Sequence, residues 1–228
     1  HVKTLASDEF EGRAPGTPGG EKTKNYIADH FASLGLSSFG GSYLMPVNLT
    51  GINLIVDESY FNLSVNGEMM NVNYRSDVVY GTTRQIEEVA FEDSDLVFVG
   101  YGVNAPEYEW NDYKVDVKDK TVVMLINDPG FELKGTEFNG KAMTYYGRWT
   151  YKFEEAARQG AAGVLIIHET APASYPWGVV ENGWSGEQLN LTFADQNLDR
   201  SALEGWITLD LAEQLFAEMG TSYAEMKS

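Results

Sequence analysis

The chain has no cysteine among its 228 residues. That excludes disulfides, thiolate metal sites and a cysteine nucleophile. Basic residues are scarce, 16 against 34 acidic ones, for a formal charge of −18. Nucleic acid and anionic membrane surfaces want a positive face, so no nucleic-acid or membrane partner is expected. No apolar run approaches the roughly 20 residues that span a bilayer. Histidine is rare too. His1, His30 and His168 stand alone, and none falls in His-x-Glu-x-x-His or His-x-Asp. Gly-x-Ser-x-Gly and the phosphate-binding P-loop are also missing. The chain opens at His1 without methionine and carries no signal peptide, as expected of a processed or cut polypeptide.

What is present is ample material for a core: 43% of residues are hydrophobic and 13% aromatic. The most informative stretch runs from Tyr145 to His168. Trp149, Phe153, Ala156 and Ala157 share one helical face, and Gly160 supplies a stop. Val164 to Ile167 is then a continuous apolar run, the mark of a strand covered on both faces. An aromatic and basic cluster, Tyr145 to Lys152, enters the helix. Arg148 sits near the helix N-terminus, where a cation opposes the dipole. An acidic neighbour, an aromatic face or an acidic ligand should favour it there.

Elsewhere, Thr17-Pro18 reads as a helix start, with Ile27, Phe31 and Leu34 on one face and Gly35 as the stop. Met45 to Leu49, Asn53 to Val56, and Phe61 to Val65 with Asn66-Gly67 read as strands and a hairpin turn. Core strands are expected from about Phe91: Leu96 to Gly102, then Thr121 to Asn127, stopped by Asp128-Pro129-Gly130. A loop leads to about Met143. Strand, helix, strand in that order predicts a parallel βαβ unit. Ala171 to Ser201 reads as loop with apolar anchors at Trp177, Val179, Val180 and Trp184. Gly205 to Asp210 opens a helix with Leu211, Leu215 and Phe216 on its apolar face. Thr208 is a possible cap, and Asp210 with Glu213 a capping box. Ser222 with Glu225 makes another box only three residues before Ser228, so the polypeptide is expected to continue.

Carboxylates are plentiful but unspecific. Glu87-Glu88 and Glu154-Glu155 are adjacent pairs, which do not face one another on a helix. His30 reads as a surface or edge residue. His168, at a strand end beside Glu169, is a candidate for function because parallel strand ends often carry it.

In combination these motifs resemble a known family. Ser7-Asp-Glu-Phe-Glu-Gly-Arg13 and Pro15-Gly-Thr-Pro-Gly19, with a helix ending Leu34-Gly-Leu36, resemble the N-terminal segment of dinuclear-zinc aminopeptidases, relatives of glutamate carboxypeptidase. Leu96 to Gly102, Ala105 to Tyr108, Trp110 to Tyr113, Asn127 to Gly130, Gly147 to Ala157, Gly160 to His168 and Tyr175 to Val180 resemble the protease-associated domain inserted in such enzymes. The resemblance implies an α/β fold, with a mixed β-sheet or barrel-like protease-associated domain, flanking helices, and an N-terminal peptidase-domain helix and strands. It divides the chain into peptidase segment 1–90, protease-associated domain 91–205 and return helix 206–228. It implies a secreted or periplasmic parent that hydrolyses peptide bonds at N-termini with zinc-activated water and a glutamate base. The family's zinc ligands, a His-x-Asp motif, a Glu-Glu pair and later Asp and His residues, follow the inserted domain. No His-x-Asp occurs here. The segment is therefore expected to be inactive alone, with no catalytic residue, metal ligand or cofactor of its own. The implied partners are the missing peptidase domain and a peptide substrate, with Tyr145, Tyr146, Arg148 and Trp149 as candidate contacts. A stand-alone peptide- or protein-binding module is the alternative. A complete small hydrolase using carboxylates is a third reading.

Overall fold

A computed structural model of the chain describes residues 1–133 and 137–227. The expected loop ending near Met143 includes residues 134–136, which lie outside the described residues, as does Ser228. The chain forms two compact units, His1–Asn48 and Leu49–Ser228.

The first unit is built on helix α1 (Pro18–Ser33). Thr17 caps it, its hydroxyl accepting from the Gly20 amide at 3.2 Å, and Pro18 fills the first turn, where a missing N–H costs nothing. Ile27, Phe31 and Leu34 lie on the apolar face as the spacing predicts, yet all three remain exposed.

The second unit is a mixed α/β fold around a five-stranded sheet. Its strands are β1 (Val78–Gly81), β2 (Leu96–Phe98), β3 (Thr121–Leu125), β4 (Gly163–His168) and β5 (Leu203–Thr208), in the spatial order β1-β5-β4-β3-β2. Strands β2 to β5 are parallel, and β1 pairs antiparallel with β5. Helix α2 (Trp149–Arg158) crosses from β3 to β4, which is the βαβ unit expected from the sequence. Gly160, at φ +81, takes the left-handed stop position.

The continuous apolar runs have a direct cause. Val122, Met124, Val164, Ile166 and Trp206 face one core, shared with Phe153 and Ala156 of α2 and Val180 of α3 (Trp177–Trp184). Val123, Leu125, Leu165, Ile167 and Ile207 face the other, shared with Leu211, Ala212 and Phe216 of α4 (Leu209–Glu218). Alternate side chains leave opposite faces of a strand, so both sets must be apolar when both faces are covered.

Several local readings need correction. Core strands begin before Phe91, because β1 at Val78–Gly81 belongs to the same sheet. Its partner β5 lies more than 100 residues later, beyond the reach of any local pattern. Met45 to Asn48 and Asn53 to Val56 are not strands; the strand is Leu49–Ile52, selected by its antiparallel partner Gln188–Leu191. The stretch expected to be loop, 171–201, contains that partner and also α3. Trp177, Val180 and Trp184 do fall at helical spacing, but Gly178 and Gly183 obscure it. Gly205 to Thr208 is strand, and the cap of α4 is Thr208, whose hydroxyl accepts from the Leu211 amide at 3.2 Å. The hairpin turn at Asn66-Gly67 stands as expected, both residues having positive φ.

Gly205 sits where β1 and β5 approach closely. A Cβ there would lie 2.8 Å from the Val79 carbonyl oxygen and 3.2 Å from Leu165 Cδ2. We expect Gly205→Ala to lower stability by about 1–3 kcal/mol through overpacking. Gly178→Ala, which meets nothing within 4 Å, should not lower it. Urea midpoints of the two variants check both expectations.

Candidate functional site

In parallel sheets, the carboxyl ends of the strands gather side chains from successive loops. Here β2 leads to Tyr101, β3 to Asn127 and Asp128, and β4 ends in His168 and Glu169. Helix α2 adds Lys152 to this edge.

Lys152 is fully buried, and its ammonium donates to the Tyr101 carbonyl oxygen at 2.6 Å. Burial pulls its pKa down to about 7, against the opposing pull of the Asp112 and Asp128 carboxylates. Asp128 is also fully buried. Its carboxylate accepts from the Gly130 amide at 3.1 Å, the Thr144 amide at 2.9 Å and the Thr144 hydroxyl at 2.6 Å. Asp112 accepts from the Val103 amide at 2.9 Å and from the Trp110 indole at 2.8 Å. Burial nevertheless holds its pKa above the ordinary value.

The neighbouring groups are equally committed. Asn127, at φ +71, donates to the Pro172 carbonyl at 2.8 Å and accepts from the Asp128 amide. His168 is buried, with Nε2 3.0 Å from the Tyr175 carbonyl oxygen, and burial lowers its pKa. A neutral imidazole donating through Nε2 accounts for both observations. Glu169 and Glu132 both bind the Lys227 ammonium, at 2.9 and 2.8 Å. The polar groups at this edge are therefore committed, mostly to backbone groups of the surrounding loops. Chemistry on a substrate would require breaking buried contacts first.

The four candidate contact residues lie beside this edge, but they have different partners. Tyr146 is half-buried in an aromatic cluster with Tyr108, Phe138 and Tyr151, and its hydroxyl donates to Glu107 at 2.6 Å. Tyr145 is 59% exposed and its hydroxyl donates to Glu154 at 3.0 Å. Trp149 is 42% exposed, edge-on to Phe153 and Trp184 at 6.0 Å. Arg148 is the exposed N-cap residue of α2. Among the described residues its guanidinium has no hydrogen bond or ion pair. No carboxylate pairs with it among the described residues, and its charge acts on the nearby Tyr175 phenol, opposing the upward pull of burial on that group's pKa.

The sequence places Lys152 in the entrance cluster and Glu155 beside Glu154, but it does not reveal that both are buried. Glu155 is buried, pairs with Arg158 at 2.8 Å and accepts from Gln159 at 2.8 Å. The signal was available in part. Tyr151, Lys152, Glu155 and Ala156 fall at i, i+1, i+4 and i+5, which widens the buried face of α2 beyond its apolar stripe.

Lys152 has a pH signature. Its pKa is lowered in the folded chain and ordinary in the unfolded one, so between about pH 7 and the usual lysine range the unfolded chain binds more protons. Stability should rise with pH through that window, on the order of 2 kcal/mol from pH 7 to pH 9. Below pH 7 both states are protonated and the burial penalty applies in full. Lys152→Met removes this contribution. Urea melts at pH 7 and pH 9 should show the variant's advantage over the wild type shrinking as pH rises.

No protein-family model matches the chain, and no curated protein sequence matches it. Among solved structures, an aminopeptidase from Aneurinibacillus sp. strain AM-1 is similar at 17% identity and a TM-score of 0.38. The similarity covers 96% of this chain and 41% of the aminopeptidase, so the chain spans about two fifths of that protein's length.

Proposed function

We propose that the chain is the noncatalytic N-terminal and protease-associated region of a secreted zinc aminopeptidase, where it packs on the catalytic domain and shapes substrate access. The resemblance of the sequence motifs to that family supports the reading. The observation that carries the role is the division of labour at the head of α2. The reactive groups, Lys152, Asp128 and His168, are buried and each is committed to a neighbouring segment, at Tyr101, Thr144 and Tyr175 respectively. The groups left at the surface, Tyr145, Arg148 and Trp149, are of the kind that contact a peptide or a protein face.

The residues present do not fit a catalytic zinc pair. Among the described residues, no three His, Asp or Glu side chains are grouped to hold a metal ion. His168 spends Nε2 on the Tyr175 carbonyl. In this proposal the zinc ligands belong to the rest of the parent protein, and no step of hydrolysis is assigned to this chain. The polar edge instead anchors both flanks of the Tyr145–Trp149 segment, through Asp128 to Thr144 and Lys152 to Tyr101, which in this proposal lowers the ordering cost of meeting a partner.

The purified chain should give no turnover of an aminoacyl chromogenic substrate with excess zinc. Zinc-dependent hydrolysis would overturn the proposal. In the parent, Arg148→Ala and Trp149→Ala should each raise KM for peptides severalfold with kcat nearly constant, the mark of lost uniform binding. The reading frame beyond Ser228 separates the alternatives. A His-x-Asp motif belongs to the peptidase, and a membrane span belongs to a stand-alone binding module.

A further inference from the structure

The first unit brings together two of the chain's three histidines. The rings of His1 and His30 lie with centroids 4.3 Å apart at 65°, although 29 positions separate them in sequence. His1 Nδ1 is 2.9 Å from the Tyr26 hydroxyl. Tyr26 is itself edge-on to the buried Phe10 at 6.0 Å and to His1 at 5.8 Å. The His30 ring makes no hydrogen bond among the described residues.

We propose that His1 and His30 form a surface site for a borderline divalent transition ion such as zinc or nickel, with Tyr26 as the positioning residue. Imidazole nitrogen is a preferred donor for these ions. Two rings that each bind one ion through a single nitrogen at about 2.0–2.1 Å, at a tetrahedral angle, have centroids roughly 5 Å apart. The observed separation is within 1 Å of that, and the rings, now edge to face at 65°, would have to turn to aim one nitrogen of each at a shared ion. Tyr26 plays the part that outer-sphere acceptors play in metal sites. With its oxygen accepting from Nδ1–H of His1, the Nε2 lone pair is left free for the metal. His1 is exposed and His30 half-buried, so water completes the coordination. The proposal does not rest on the aminopeptidase reading.

Titration of the chain with zinc alone, followed by calorimetry, tests it. One ion per chain is expected, with shifts of the His1 and His30 imidazole nitrogens in NMR spectra. His30→Ala and His1→Gln should each weaken binding at least tenfold. Tyr26→Phe should weaken it less and change the His1 tautomer signal in the apo protein. All three positions are at least partly solvent-accessible, and circular dichroism confirms that each variant is folded. No binding by the wild type, or binding unchanged in His30→Ala, would overturn the site.

Discussion

The second unit depends on one constraint: its sheet is covered on both faces. Strands β3 and β4 are buried along their whole lengths. Neither can place a charge within its span, because neither face has water to receive it. Polar residues are therefore displaced to the strand ends, where the chain turns and backbone groups need partners. Asp128, His168, Glu169 and the loop around Tyr101 are all found there. The apolar interior and the polar edge have the same cause.

Lys152 shows how close that edge comes to the limit. An ammonium with no exposed surface is costly unless its surroundings compensate. Here compensation comes from one short bond to a carbonyl and from two carboxylates already held by other donors. The lysine ties the start of α2 to the loop after β2, and Asp128 ties the loop after β3 to Thr144, just before Tyr145. Together they anchor the segment that presents Tyr145, Arg148 and Trp149. Arg148 has no ion pair among the described residues, in a chain with twice as many acids as bases, and its charge lies near the Tyr175 phenol.

Much of the architecture was legible because it is local. Periodicity located α1, α2 and α4, and glycines and caps marked their ends. The apolar run at Val164–Ile167 announced a strand with two covered faces. The errors share another origin. Val78–Gly81, Leu49–Ile52 and Leu203–Thr208 are strands because of partners more than 100 residues away in sequence, or on both sides at once. No window of sequence contains that information. In α3, glycines at 178 and 183 hid a helix that Trp177, Val180 and Trp184 stabilise only once the sheet is there to pack against.

By itself, the sequence determined the βαβ unit at residues 121–168, the main helices, and the exclusion of thiol chemistry. These follow from composition, spacing and residue type, which act over a few neighbours. Tertiary structure alone decided strand order, the inclusion of β1 in the sheet, and the fate of each charge. It buried Lys152 and Glu155, left Arg148 exposed near Tyr175, and brought His1 to His30. Electrostatics and desolvation depend on distance and burial, and both are set by contacts between residues far apart in the chain.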